Sequence, residues 1–243
     1  DRTAIDLPKD EQALLEAVKA TGKPLVVVLV NGSAISVNWA QQKANAILEA
    51  WYPGEEGGTA IAETLAGVNN PAGRLPVTFY KDVKDLPPFE EYAMGNRTYR
   101  YYQGQPLYPF GYGLSYSKFA YKAAKLSAST LKSGDDLTMD VDVKNISNKA
   151  GDEVVQAYLV FPKLAGAPLK ALRAFARVSL KPGETRKVTL KLGARDLSMV
   201  NDAGTRLIAA GDYTLFIGGG QPGTGAAGLS VPLKIEGDQK LDR

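Results

Sequence analysis

The sequence predicts an α/β layered domain followed by an all-β, immunoglobulin-like sandwich domain. Its 243 residues exceed the length of one typical domain and suit two. Helical stripes alternate with apolar runs in the first half, whereas short strands with apolar and polar residues in alternation fill the second half. The charge balance also changes: residues 1–115 contain 10 Lys and Arg against 13 Asp and Glu, and residues 116–243 contain 19 against 13. We therefore predict a boundary at Ser115, with domains at 1–115 and 116–243.

The composition excludes several kinds of chemistry. Cysteine and histidine are absent, which rules out disulfides, thiol nucleophiles, Ser-His-Asp catalysis and the commonest metal ligand. Carboxylates, Lys, Tyr and Arg remain as candidate catalytic groups. Because the basic residues of the second half are scattered singly, we interpret them as solvated surface and expect no nucleic acid. The longest apolar run, Pro24–Val30, is too short to span a bilayer, and Asp1-Arg2-Thr3 does not resemble a leader peptide.

The first half reads as a succession of helices and buried strands. A helix is predicted between Pro8 and Gly22, since acidic residues at its start are followed by an apolar stripe at helical spacing. Leu25–Val30 is apolar on both faces and β-branched, which is typical of a strand in a parallel sheet covered by helices. Ala46–Trp51 is a second predicted strand, and a short helix that ends at Gly67 follows it.

A glycine-rich loop, Gly54–Gly58, joins the second strand to that short helix. Such a loop can bind phosphate through backbone N–H groups at a helix N-terminus. Here the loop lacks a following Lys-Ser/Thr pair, and Glu55 and Glu56 within it would repel an anion. We therefore favour tight strand-to-helix packing over nucleotide binding, with a structural role for both glutamates.

Aromatic residues are concentrated just before and after the predicted boundary. Eight of the 12 tyrosines lie between Tyr92 and Tyr121, together with Phe110 and Phe119. Aromatic side chains bury large areas and also stack on sugar rings, so this segment is either a seam between domains or a sugar-binding surface. We favour the seam. Trp39 and Trp51 are candidates either for stacking on a sugar ring or for burial in the core, and for both we favour burial in the core.

The second half contains repeated strand signals separated by turns. Leu137–Val143 alternates without a fault between apolar and polar residues, and three more inward-facing sets follow later in the chain. These sets are Val155, Ala157, Leu159 and Phe161; Val188, Leu190 and Leu192; and Tyr213, Leu215 and Ile217. A last short strand is expected at Leu229–Ile235. Their spacing predicts a β-sandwich, in which Tyr213 occupies the position of a corner tyrosine.

Seven sequence motifs, taken in order, resemble those of one enzyme family. They are Asp1-Arg2, Leu7-Pro8, Val26-Val27-Val28-Leu29 with Asn31-Gly32, the run from Trp51 to Ala60, the run from Asn70 to Phe79, Arg97 to Tyr101, and Pro106 to Tyr116. In this order and spacing they closely resemble glycoside hydrolase family 3, the β-glucosidase and β-xylosidase family. The resemblance covers essentially the whole chain. It implies the end of that family's α/β sandwich domain followed by its fibronectin type III-like domain.

The resemblance also implies an activity. It implies a retaining, exo-acting β-glycosidase, in the first place a β-glucosidase, that removes terminal non-reducing β-linked sugars from oligosaccharides. Its nucleophilic Asp belongs to an N-terminal barrel, and its acid/base Glu lies in a loop just before the Asp-Arg pair. We therefore expect no catalytic residue in these 243 residues, and we expect the isolated chain to be inactive. Asp1 and Arg2 flank that loop, and they either bind substrate and support the active-site loop or merely anchor it.

The expected partners follow from the same resemblance. They are the upstream barrel segment of the same enzyme and an oligosaccharide or β-glucoside substrate, and the sequence is compatible with a homo-oligomer. No cofactor, metal, nucleic acid or membrane is expected. Bacterial relatives of this type are often exported, so we expect a periplasmic or secreted location. The alternative function is a non-catalytic carbohydrate-binding or structural module, which the tyrosine-rich segment suggests.

Overall fold

The computed structural model describes residues 3–242, which form two compact units. The first unit contains the chain up to Asn69 together with Val77–Thr98 and Tyr102–Pro109. The second contains Asn70–Pro76, Tyr99–Tyr101 and the chain from Phe110 onward. The second unit therefore includes two short segments that precede Ser115, as well as residues 110–114. The division of the chain into domains at Ser115 stays a prediction.

The first unit is built around two parallel strands. Its elements are α1 (Lys9–Ala20), β1 (Val26–Leu29), α2 (Asn38–Lys43), β2 (Ala46–Glu49), α3 (Gly57–Ala66) and a 3-10 helix at Val83–Asp85. In the β1–β2 pair, Val26 lies opposite Ala46 and Leu29 lies opposite Glu49. Both predicted helices and both predicted strands are confirmed, including the end of α3 at Gly67, whose φ of 73° is left-handed. Helix α2 was missed, because its six residues carry no clear apolar stripe.

The core of the first unit is small. Six apolar residues are buried in it, and half-buried side chains such as Trp39, Leu15 and Ile47 pack around them. The six are Leu25, Val27, Leu29, Ile35, Val37 and Ala40. Other apolar side chains on and beside β1 face solvent, with Val26 46% exposed and Val30 58% exposed. Little apolar area thus stabilises this unit by itself.

The second unit is the predicted β-sandwich. Its elements are α4 (Thr98–Tyr101, with Thr98 in the first unit), β3 (Phe119–Leu126), β4 (Thr130–Lys132), β5 (Leu137–Asn145), β6 (Gly151–Val160), β7 (Lys170–Leu180), β8 (Thr185–Leu192), α5 (Ala194–Leu197), β9 (Met199–Val200), β10 (Arg206–Ile208), β11 (Gly211–Gly218), β12 (Gly228–Glu236) and β13 (Gln239–Lys240). A five-stranded sheet has the order β4-β12-β11-β6-β7, and a three-stranded sheet has the order β3-β5-β8. The short strands β13-β10-β9 form a third sheet.

The strands predicted from alternation face the sandwich core as expected. Along β5, every second residue from Leu137 to Val143 is fully buried, and these residues pack with inward side chains of β6, β8 and β11. Tyr213 is confirmed as a corner tyrosine, since its hydroxyl donates to the carbonyl of Ala209 at 2.8 Å. Strand β7 was missed, because it turns the small residues Ala174 and Ala176 inward and leaves Phe175 67% exposed, which reverses the usual pattern.

Candidate functional site

Polar side chains meet at the carboxyl ends of the two parallel strands in the first unit. Glu49 is the last residue of β2, and Asn31 comes two residues after β1. Because parallel strands end at the same edge of a sheet, these residues lie together, and this edge is where α/β folds commonly bind ligands. The Nδ2 of Asn31 donates to Oε2 of Glu49 at 3.4 Å, and the backbone N–H of Trp51 donates to Oε1 at 3.0 Å. We call Asn31, Glu49 and Trp51 the edge cluster.

The carboxyl group of Glu49 has an altered environment. Burial raises its pKa, because the ionised form loses water, while the N–H donors of Trp51 and Asn31 act in the opposite direction. Asn31 is 5% exposed, and its Nδ2 also donates to the carbonyl of Ser33 at 2.6 Å. Its Oδ1 is buried and accepts no hydrogen bond from any residue that the structure describes. The cluster therefore contains one buried acceptor, Asn31 Oδ1, without a donor among the described residues, while both carboxylate oxygens of Glu49 accept N–H bonds.

The chain beyond Glu49 is held in an unusual conformation. Trp51 has a left-handed φ of 53°, which is uncommon for a residue other than glycine. Its ring meets the edge of Phe79 at a centroid distance of 6.1 Å. The ring of Tyr52 lies so close to Gly32 that a Cβ there would be 2.6 Å from it. The bond from the Trp51 N–H to Glu49 thus fixes a turn that displays Tyr52, which is 74% exposed.

The edge cluster contains one carboxylate. Retaining glycoside hydrolysis needs two, about 5 to 5.5 Å apart across the sugar. The geometry of the cluster therefore suits loop positioning, and it does not provide the catalytic pair. Within residues 3–242 no group of three or more His, Cys, Asp or Glu side chains is placed to hold a metal ion. The expectation that no metal is required stays a prediction.

The remaining single candidates from the sequence are two glutamates, two tryptophans and the Asp1-Arg2 pair. Asp1 and Arg2 lie outside the described residues. Glu55 and Glu56 are exposed at the start of α3, where their negative charge interacts favourably with the positive end of the helix dipole. The Glu56 side chain does not form a capping hydrogen bond. Trp39 is half-buried against the core of the first unit, and Trp51 is half-buried within the edge cluster.

Aromatic rings of the segment pack within each of the two units. In the second unit, the Tyr99 ring stacks on Phe110 at 4.2 Å and meets the edge of Tyr158, while its hydroxyl accepts from the N–H of Leu172 at 3.0 Å. In the first unit, Tyr80 packs edge-to-face on Tyr102 at 5.0 Å. These rings contribute to the packing inside their own units. Neither interpretation of the segment as a whole is tested by these contacts.

Sequence reasoning missed a buried ion pair in the second unit. The guanidinium of Arg74 donates to Oε2 of Glu153 at 2.9 Å, and the two side chains are only 9% and 4% exposed. The hydroxyl of Tyr121 donates to the other carboxylate oxygen at 2.5 Å. Burial raises the pKa of Glu153, and Tyr121 and Arg74 both oppose that shift. No local signal could have paired residues that are 79 positions apart.

Arg74 also fixes the backbone around it. Its NH1 donates to the carbonyls of Ala72 and Gly73, each at 3.1 Å, and its Nε donates to the carbonyl of Gly219 at 3.4 Å. All of its partners lie within the second unit. The pair is therefore a structural element that ties the Asn70–Pro76 segment to the sandwich.

Two family models match the chain. The glycosyl hydrolase family 3 C-terminal domain matches residues 1–116, and the fibronectin type III-like domain matches residues 153–221. The first match contains the edge cluster, and the second contains Glu153, the rest of β6 after it and strands β7 to β11.

Curated relatives and solved structures agree with these models. A xylan 1,4-beta-xylosidase of Xylanibacter ruminicola is 42% identical over 219 residues, which cover 90% of this chain and 25% of the relative. A periplasmic beta-glucosidase of Salmonella typhimurium is 37% identical over 230 residues, which cover 89% of this chain and 30% of the relative. The structure of beta-glucosidase 3B from Thermotoga neapolitana in complex with α-D-glucose superposes with a TM-score of 0.87 at 30% identity, covering 98% of this chain and 35% of that one.

The extent of these matches differs between this chain and its relatives. Nearly all of this chain is matched, but it spans only about a quarter to a third of the length of the relatives just named. Both domain types occur in the order that the sequence motifs imply. The chain therefore belongs to glycoside hydrolase family 3, with that family's C-terminal domain over residues 1–116 and a fibronectin type III-like domain over residues 153–221.

Proposed function

We propose that the chain is the C-terminal part of a retaining, exo-acting β-glycosidase, most closely a β-glucosidase that releases terminal non-reducing β-linked sugars from oligosaccharides. The observation that carries this proposal is the match of nearly the whole chain to proteins named beta-xylosidase and beta-glucosidase. Superposition on a β-glucosidase with glucose bound supports the same function.

The first unit, in this proposal, is the end of an α/β layered domain. Its only sheet within the described residues is the β1–β2 pair. A two-stranded parallel sheet with a small core is not a stable layer by itself, because parallel strands are normally buried on both faces. The exposed Val26 and Val30 are the kind of side chains that further strands or helices of a larger domain would cover.

The catalytic pair lies, in this proposal, outside these residues. The upstream barrel segment supplies the nucleophilic Asp, and a loop before Asp1 supplies the acid/base Glu. Asp1 and Arg2 support that loop or bind substrate. The edge cluster acts as a positioning device, since Glu49 accepts the Trp51 N–H and thereby fixes the turn that carries Tyr52.

The test is a comparison of two purified proteins, the 243-residue chain and the full-length enzyme. Aryl β-glucoside and aryl β-xyloside are the substrates, and released phenol is measured. We expect turnover by the full-length enzyme, faster on the glucoside, and none by the chain alone. Turnover by the chain alone would show that the catalytic pair lies within it. An inactive but folded full-length enzyme would remove the glycosidase proposal.

We also propose an exported enzyme, in the periplasm or outside the cell. The support is the name of the Salmonella relative, a periplasmic beta-glucosidase. Within residues 3–242 every helix is too short and too polar to cross a membrane, the longest being the 12 residues of α1. Fractionation of the native host, with antibody detection of this chain, tests the location, and recovery of all the protein in the cytoplasm would contradict it.

A further inference from the structure

A β-bulge in the second unit redirects one arginine. In the β6–β7 pair, Ala157 lies opposite Ala174 and Tyr158 lies opposite Leu172, so Arg173 has no residue opposite it. An extra residue of this kind turns its side chain away from the regular alternation, and such bulges often occur where a side chain must be aimed at a site. The bulge therefore gives the Arg173 side chain a direction that the regular alternation of a strand would not give it.

Two arginines converge at one buried serine. The NH2 of Arg173 donates to the carbonyl oxygen of Ser198 at 2.6 Å, and the NH1 of Arg206 donates to the Oγ of the same residue at 3.1 Å. The Arg173 guanidinium also lies over the ring of Phe161, with its Cζ 5.4 Å from the centroid. Its Nε is buried and donates to no atom that the structure describes. Two cationic groups are therefore held close together, with donor capacity left over.

The charge of these two side chains is not balanced by an ion pair. In residues 3–242, no carboxylate lies within salt-bridge distance of Arg173 or Arg206. Asp196 acts on Arg173 electrostatically, but its Oδ2 already accepts from the Gly193 N–H at 2.9 Å. The pKa of Arg173 is lowered to about 10, mainly because burial removes it from water and also because Arg100 and Arg206 add like charge. A partly buried cation beside a second cation is costly unless a counter-ion joins them.

We propose that Arg173 and Arg206 form a binding site for an oxyanion on the fibronectin type III-like domain. Guanidinium groups suit this ligand, because their planar N–H donors match the oxygens of a carboxylate, sulfate or phosphate in pairs. The same chemistry is carried by the carboxylate of an acidic sugar and by a free inorganic ion. The site lies entirely within the second unit, and it does not depend on the proposed glycosidase activity.

The experiment is isothermal titration calorimetry of the 243-residue chain with glucuronate, sulfate and glucose at constant ionic strength. We expect glucuronate or sulfate to bind and glucose not to bind here. The anion that binds more tightly identifies the source of the ligand. Tighter binding of glucuronate points to an acidic saccharide, and tighter binding of sulfate points to a free ion. Arg173→Gln and Arg206→Gln should each weaken binding by about tenfold or more. Arg177→Gln is the matched control, since it removes the same charge from the same strand at an exposed residue that pairs with Asp152.

The three variants distinguish binding at this site from binding elsewhere on the protein. Anion binding that is weakened in Arg173→Gln and Arg206→Gln but not in Arg177→Gln supports the site. If Arg173→Gln does not fold, Arg206→Gln and its control decide the question. Binding of neither anion, or equal weakening in the Arg177→Gln control, overturns the proposal. So does binding that is unchanged in the folded Arg173→Gln and Arg206→Gln variants.

Discussion

The two units of this chain contrast in how completely they bury their own apolar residues. The core of the sandwich contains 24 buried apolar residues among those described, whereas the core of the first unit contains six. At about 25 cal/mol for each Å² of apolar surface removed from water, this difference dominates the stability of the two units. The sandwich has the core of an independent domain, and the small core of the first unit agrees with the proposal that it is part of a larger domain.

Strand pairing shows the same contrast. In the five-stranded sheet of the sandwich, β12, β11 and β6 each have neighbours on both sides, and the facing sheet covers their inner side chains. In the first unit, β1 and β2 pair only with each other as far as the structure describes. Unpaired strand edges and few buried side chains are the features of regions that open readily. We therefore expect two unfolding transitions, with the first unit unfolding first.

The largest effect is expected from breaking the buried ion pair. Arg74→Met should destabilise the sandwich by about 3 to 5 kcal/mol, because it leaves the Glu153 carboxylate buried without its cationic partner. Denaturant unfolding of the sandwich transition measures this. The matched control is Arg186→Met, because its ion pair with Glu184 is much more exposed, at 47% and 30%, and it should cost far less stability. Equal losses of stability in the two variants would mean that the sandwich depends no more on the buried Arg74 than on the exposed Arg186.

A truncation in the sandwich core should have the next largest effect. Leu215 is fully buried on β11, so Leu215→Ala should lower the free energy of unfolding of the sandwich by about 3 kcal/mol through lost contacts and a cavity. Leu29→Ala makes the same change in the first unit. It should shift the early transition and leave the sandwich transition in place. A sandwich transition that moves with Leu29→Ala would show that the two units unfold together.

Loss of the corner tyrosine hydroxyl should have a smaller effect. Tyr213→Phe removes the bond to the Ala209 carbonyl and should destabilise the sandwich by about 1 kcal/mol. Tyr92→Phe is the control, because the Tyr92 side chain is 89% exposed in the first unit. Thermal unfolding followed by circular dichroism measures both variants. A Tyr213→Phe protein as stable as the wild type would show that this hydroxyl contributes nothing to the corner.

The smallest expected effect is a pH dependence at the edge cluster. Burial raises the pKa of Glu49 in the folded chain above its ordinary value of 4.5, so the folded state binds the proton more tightly than the unfolded state. The stability of the first unit should therefore fall as the pH rises from about 4.5 through the folded pKa. Glu49→Gln removes this dependence.

Melting curves of both proteins at pH 4.5 and pH 8 test this prediction. The advantage of Glu49→Gln over the wild type should be greater at the higher pH. Glu63→Gln, an exposed change on α3, is the control and should show no such trend. An advantage of Glu49→Gln that stays constant or shrinks with rising pH would contradict the assigned cause.

The sequence predicted elements whose pattern is local and regular. Strands β1, β2, β5 and β11 follow from apolar runs or strict alternation, and α3 ends at Gly67 because glycine adopts the left-handed conformation without strain. Strand β7 was not predictable, because the bulge at Arg173 and the small inward residues break the alternation. The short strands β9 and β10 contain too few residues to show a period.

The polar sites could be predicted only in part. Glu49 and Asn31 each follow a predicted strand, so their meeting is a consequence of parallel pairing once that pairing is assumed. The pairing of Arg74 with Glu153, and that of Arg173 with Arg206 at Ser198, depend on side chains that are distant in sequence. No local pattern specifies such contacts. The family resemblance identified the family and the two domain types that match it, without pointing to either cluster.

Hydrogen exchange tests the contrast between the two units most directly. Amide exchange is measured by mass spectrometry in the 243-residue chain and in the full-length enzyme. The account predicts that β1 and β2 exchange quickly in the chain alone and at least about tenfold more slowly in the full-length enzyme, where the rest of the layered domain covers them. Strands β5, β6 and β11 should exchange equally slowly in both. Equal protection of β1 and β2 in the two proteins would contradict the proposal that residues outside this chain complete the first unit.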